Sequence, residues 1–191
     1  MVDNNKLEEF KKKINSCEKC VLAQTKTNIV FGEGNPKSMI MLVGEGPGEN
    51  EDLMGKPFVG KAGQLLDKML KVIDLSRDEN VYITNIVKCR PPKNRDPEEY
   101  EQDACIGYLF RQIEIINPKI IIALGRIAAK KLIDEKFKVS LDHGKWIKKN
   151  NIYFMGTYHP SALLRFANRK EDAFQDFLSI REKIKELDIQ L

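Results

Sequence analysis

The chain has 191 residues, 42% of them hydrophobic and 31% charged, the balance of a soluble globular protein and not of a disordered one. Thirty-two Lys and Arg against 28 Asp and Glu leave a net charge of +4, which permits an anionic partner without demanding one. This length suits a single α/β domain over residues 1–191; no apolar run approaches the roughly 18 residues of a membrane span, and the polar start MVDNNKLEEFKKK is no secretory signal, so the cytoplasm is the expected compartment.

Leu7, Phe10 and Ile14 recur at helical spacing just before Cys17 and Cys20. The run Ser38–Gly44 reads as a buried strand, followed by a long polar, glycine-rich loop over Glu45–Gly60. Ala62–Ile73 places Leu65, Leu66, Met69, Leu70 and Ile73 on one helical face. Val81–Thr84 is a second strand, feeding a basic, proline-rich loop from Lys88 to Pro97. A helix follows to Ile116, with proline and glutamates at its start. Lys119–Leu124 and Asn151–Gly156 supply two more strands, with a helix over Arg126–Ile133 between them and a last amphipathic helix from Lys170 to Leu187. The expected fold is therefore α/β: a mostly parallel central sheet of about four strands with helices on both faces. In such sheets ligands bind where loops leave the carboxyl ends of strands, so the polar loops after Gly44, Thr84 and Gly156 should converge.

The cysteines form a Cys17-x2-Cys20 pair, with 68 residues to Cys89 and 15 more to Cys105. Cytoplasmic cysteines are poor disulfide formers and better metal or redox ligands. Four thiolates suit tetrahedral zinc or an iron–sulfur cluster, and the spacing leaves both open. Lys88 and Arg90 flank Cys89, where they can offset thiolate charge.

In the first loop, GEGPGENED, a glycine turn suggests phosphate binding, but Pro47 lacks an amide donor and Glu45, Glu49, Glu51 and Asp52 would repel an anion. A backbone-lined slot for a neutral planar ligand fits better, with Phe58 as either a core anchor or a stacking platform. Asn85, at a strand end, can both donate and accept, as a pyrimidine edge with a carbonyl beside an N–H requires; capping a turn is the plainer alternative. Lys88, Arg90, Lys93 and Arg95 can meet phosphates or simply lie solvated. His159 follows a strand at the same edge, with Leu163 and Arg165 just beyond; a wedge against a nucleic acid or an ordinary helical turn are both open. His143, in a turn-like Asp-His-Gly context, reads as an exposed loop residue.

Together, Gly44–Leu66 (GEGPGENEDLMGKPFVGKAGQLL), Thr84–Arg95 (TNIVKCRPPKNR), His159–Arg165 (HPSALLR) and the four cysteines resemble the family 4 uracil-DNA glycosylases, in order and over nearly the whole chain. The resemblance implies a [4Fe-4S] cluster on Cys17, Cys20, Cys89 and Cys105, structural in role. It implies release of uracil from double- or single-stranded DNA, the base flipped from the stack. Uracil would lie on Phe58 beside the Glu45–Gly46–Pro47 backbone. Asn85 would read O4 and N3–H, and His159 would donate to O2. Glu45 would orient water, supported by Glu51. Leu163 and Arg165 would enter the duplex, while Arg90 and Lys93 would contact its backbone. The resemblance also implies a monomer acting on nucleoid DNA, away from membranes. One departure matters: many superfamily members carry aspartate where this chain has Gly46. No basic insertion precedes His159, so no covalent trapping is expected. The competing expectations are a non-catalytic DNA-binding module and a small-molecule enzyme with a nucleotide cofactor.

Overall fold

The computed structural model describes residues 4–191. Helices α1 (Asn4–Ile14) and α2 (Leu22–Thr25) precede strands β1 (Glu33–Gly34) and β2 (Ile40–Gly44). Then come α3 (Glu49–Met54), α4 (Lys61–Val72), β3 (Tyr82–Asn85), α5 (Glu99–Ile116), β4 (Ile120–Leu124) and α6 (Arg126–Leu132). The chain closes with α7 (Val139–Asp142), β5 (Trp146–Lys149), β6 (Ile152–Thr157), α8 (Pro160–Arg165) and α9 (Lys170–Glu186).

The sheet order is β1-β3-β2-β4-β6-β5. Its four central strands are parallel, and β1 and β5 are antiparallel edges. Side chains alternate across each strand, so β2 sends Met41 and Val43 to one core and Ile40 and Leu42 to the other. Helices α1, α5 and α6 cover the first face; α4 and α9 cover the second. All five residues of β4 are buried, as expected of a strand covered on both faces.

The expected class holds, but the sheet has six strands, not about four. Both additions are edges that carry no apolar run: β1 is two residues long, and β5 (WIKK) exposes its lysines. A tight turn at Asn150–Asn151, both at positive φ (48° and 66°), joins β5 to β6; asparagine tolerates that conformation better than most residues. The glycine-rich stretch also differs from expectation, because α3 starts directly after Gly48. Its first turn carries Glu49, Glu51 and Asp52, which still oppose phosphate there.

Candidate active site and cysteine cavity

Four parallel strands end along one edge of the sheet, and three of them, β2, β3 and β6, deliver polar residues there. Gly44 of β2 is in register with Asn85 of β3, and β6 runs out at Thr157, two residues before His159. A Cβ on Gly44 would run into Asn85 Oδ1 and stand 2.6 Å from Phe58 Cζ, so Gly44, Asn85 and Phe58 pack against one another at the strand ends. The Phe58 and His159 rings lie 5.5 Å apart, tilted by 32°. Asn85 is 1% exposed, and its Oδ1 is the one buried side-chain polar atom among the described residues that lacks a hydrogen-bond partner. An orphaned buried acceptor is costly, on the order of 1–3 kcal/mol, and calls for a ligand or other special role.

Phe58 holds φ at +53°, an unfavourable conformation for an aromatic residue. Its neighbours over-determine it. Glu51 Oε1 accepts from the Val59 and Gly60 amides, both at 2.8 Å, and Arg77 donates to the Pro57 and Phe58 carbonyls at 3.0 and 2.8 Å. Helix α4 approaches so closely that a Cβ on Gly63 would collide with the Phe58 carbonyl. Glu51 is thus a brace for the Phe58 loop. Arg77, in a loop with no motif, gave no sign of its role in the sequence.

His159 sits at the N-cap of α8. The Ser161 N–H donates to its Nδ1 at 3.2 Å, and the Ser161 hydroxyl lies 2.8 Å from the same nitrogen. With Nδ1 accepting, the proton of the neutral ring resides on Nε2. Burial, with Arg165 nearby, pushes the His159 pKa down to about 4, so the ring is neutral at physiological pH. Gly125, at φ +91°, leaves room for it: a Cβ there would stand 2.9 Å from His159 Cβ.

Burial and the charge of Asp96 raise the Glu45 pKa to about 7, with Arg126 opposing. Arg126 and Asp96 are themselves ion-paired beside it. Neither Asp96 nor Arg126 stood out in the sequence; only the end of β4 brings Arg126 to this rim. Gly46 has no room for a larger residue without movement, since a Cβ would meet Val87 Cγ2 at 2.7 Å. Pro47 is buried beside it.

The expected DNA-facing residues divide. Leu163 is 1% exposed and packs with Tyr158 and Ala173, so it cannot enter a duplex without unpacking the core. The next residue, Leu164, is 49% exposed, as α8 turns each successive side chain by roughly 100°. Arg165 is exposed beside it, and Phe166 is 58% exposed. In the basic loop, Arg90 binds Asn94 at 2.8 Å and Glu49 at 3.3 Å, while Lys93 lies exposed at φ +55°. Arg95 grips the buried Glu101 with bonds of 2.6 and 2.8 Å, and Lys88 is buried; neither stands ready for phosphate. His143 is no free loop residue either: its Nδ1 lies 2.9 Å from Asp176 Oδ1.

No disulfide joins the four cysteines, and all of them line one small cavity. Ile14, Leu22, Ala104 and Tyr108 complete much of its wall. The Tyr108 hydroxyl lies 3.2 Å from Cys17 Sγ, and the Lys88 N–H donates to Cys105 Sγ at 3.3 Å. Burial, then the neighbouring sulfur of Cys105, pushes the Cys89 pKa up to about 12, and Cys105 is raised by burial as well. No three His, Cys, Asp or Glu among the described residues stand as a set ready to hold a metal ion. The four thiols share the cavity wall with Lys19, Lys88 and Glu101. Four sulfurs lining one cavity suit a guest whose positive charge stabilises thiolates that burial alone disfavours.

Comparison with known proteins shows the family. The family model described as the uracil DNA glycosylase superfamily matches residues 31–180. A Type-4 uracil-DNA glycosylase of Sulfurisphaera tokodaii is 51% identical, covering 92% of this chain and 84% of its own. Relatives of the same name from Archaeoglobus fulgidus and Thermotoga maritima are 47% and 45% identical; the first alignment spans 92% of both chains, the second 94% of this chain and 93% of the other.

Proposed function

This chain belongs to the uracil-DNA glycosylase superfamily, and from that premise we propose how its residues carry out the reaction. The protein is a hydrolase of N-glycosyl bonds that removes uracil from DNA in repair. The observation that carries the residue assignment is the orphaned Asn85 Oδ1 at the end of β3.

The uracil, flipped from the stack, lies on Phe58 in a slot beside Gly44, whose lack of a side chain lets Phe58 and Asn85 approach each other. Asn85 Oδ1 accepts from uracil N3–H, and its amide nitrogen donates to O4. Cytosine offers an amine in place of O4 and no hydrogen on N3, so both contacts fail. Gly46 and Pro47 line the base edge. As the bond from C1′ to N1 breaks, its electron pair passes to uracil, and the sugar becomes cationic. His159 Nε2–H donates to O2, where anionic charge develops; a fixed donor of this kind contributes about 3–4 kcal/mol. Its neutrality is suited to donating without surrendering the proton. The Glu45 carboxylate orients water towards C1′ and takes its proton, filling the role for which Gly46 has no side chain.

Cys17, Cys20, Cys89 and Cys105 hold a [4Fe-4S] cluster in this reading, which supplies a four-point cross-link; hydrolysis transfers no electron. DNA lies across the strand ends, with Arg90, Lys93 and Arg165 near its phosphates and the exposed Leu164 and Phe166 against the gap left by the flipped base. The protein acts as a monomer on uracil-containing DNA. No helix among the described residues is long and apolar enough to cross a membrane.

The test is base release from an oligonucleotide carrying one uracil, followed by alkaline strand cleavage. Asn85→Ala and His159→Ala should each lower the single-turnover rate by about 100-fold or more while leaving the protein folded. Wild-type rates in either variant would remove that residue from the mechanism.

A further inference from the structure

The mechanism leaves one buried cation without a role. Lys88 is 1% exposed, enclosed between β3 and α5. Its Nζ donates to Thr84 Oγ1 at 2.6 Å, to the Asn85 carbonyl at 2.8 Å and to Gln112 Oε1 at 2.6 Å. An ammonium has three hydrogens, and here each meets one oxygen. Those partners are themselves anchored. The Thr84 hydroxyl donates to the Phe31 carbonyl at 2.8 Å, and Gln112 Nε2 donates to the same carbonyl at 2.9 Å. The Lys88 carbonyl in turn accepts from the Val30 N–H at 2.8 Å.

An ammonium in a protein core is expensive to desolvate, and an apolar side chain of similar length would fill the space without that cost. Packing alone therefore does not account for a lysine here. Its bond to the Asn85 carbonyl does suggest a role, because it clamps the peptide that carries the base-reading carboxamide. Asn85 Oδ1 waits unpaired for its ligand, so its direction must be fixed by the backbone behind it.

We propose that Lys88 is a positioning residue for Asn85: its three-point anchor fixes the end of β3, so that the carboxamide faces the slot before DNA arrives. Resting as it does on Asn85 reading the base, this assigns uracil recognition a support outside the slot. Fixing a recognition group in advance removes an ordering cost that binding would otherwise carry.

The experiment is a double-mutant cycle on the cluster-loaded protein, with iron content and Tm measured for every variant. Single-turnover release of uracil is followed in wild type, Lys88→Met, Asn85→Ala and the double variant. Lys88→Met should lower the rate roughly 10- to 100-fold in the wild-type background and less than about threefold in the Asn85→Ala background. Binding of free uracil should weaken in the same coupled way. Equal losses in both backgrounds would make Lys88 a structural residue and overturn the proposal, as would no loss in the first. An unaffected Asn85→Ala single variant would instead overturn the base-reading assignment, and this proposal with it. Should Lys88→Met not fold, Thr84→Val removes one of the three acceptors. The same cycle should then show a loss of about three- to tenfold that vanishes when Asn85 is alanine.

Discussion

The slot at the strand ends and the cavity of the cysteines lie on either side of residues 84–89, yet they are built in opposite ways. The slot is finished by the fold itself. Gly44 and Asn85 are held by strand register, Phe58 by Glu51 and Arg77, and His159 by Ser161, with Asn85 Oδ1 left buried and unpartnered. The cavity gathers thiols from the N-terminal segment, the basic loop and α5, and its burial works against the thiolates a metal would need. A site made of strand ends is preorganised by the core; a site made of distant segments is completed by its guest.

That contrast can be broken by paired substitutions. Gly44→Ala should reduce uracil release by about 100-fold or more, because the new methyl displaces both the Asn85 carboxamide and the Phe58 ring, while iron content stays at the wild-type level. Cys89→Ser should act the other way: iron is lost and Tm falls by about 10 °C, as expected when a metal site that contributes to folding is opened. Iron loss in Gly44→Ala, or full thermal stability in Cys89→Ser, would show that the two regions are not separately built.

A gentler probe is pH. Glu45 is raised by burial from 4.5 to about 7. Its carboxylate is the form that accepts a proton from water, so the cleavage rate should fall about tenfold per unit as pH drops below about 7. The sign for stability is opposite. A raised carboxyl favours the folded state most below 4.5, and that contribution is lost as pH rises through about 7. His159 stays neutral through this window, so it adds no second limb. Glu45→Gln should flatten the acidic limb of the rate profile and lower the rate throughout; a limb that persists in this variant would have to belong to another group.

Much of the slot was legible beforehand because its chemistry sits in contiguous motifs at predictable strand ends. Asn85 and His159 each follow an apolar run, and parallel sheets align such ends. Charge was harder to place. Lys88, Arg90, Lys93 and Arg95 look alike as a basic run, but the structure buries the first, engages the second and fourth with carboxylates, and exposes only Lys93 fully. Nothing local distinguishes them, since the partners Gln112, Glu49 and Glu101 come from other elements. The edge strand β5 escaped notice for a related reason: half its residues are lysines, and its pairing with β6 does not depend on burying them.

The finest test lies one residue apart on α8. Leu163 belongs to the core and Leu164 to the surface, a distinction that a helical turn makes and the letters LL do not. Leu163→Ala leaves a cavity beside Tyr158 and Ala173 and should cost about 2–5 kcal/mol of stability. Leu164→Ala should leave Tm within about 2 °C of wild type, since half of the side chain it truncates already lies in solvent. Its effect should be confined to function: a few-fold slower release from a duplex and little change on a single strand, where no stack has to be filled. A Leu164→Ala variant equally slow on both substrates would place Leu164 in sugar or base contact, and an unaffected one would shift the gap-filling role to the exposed Phe166.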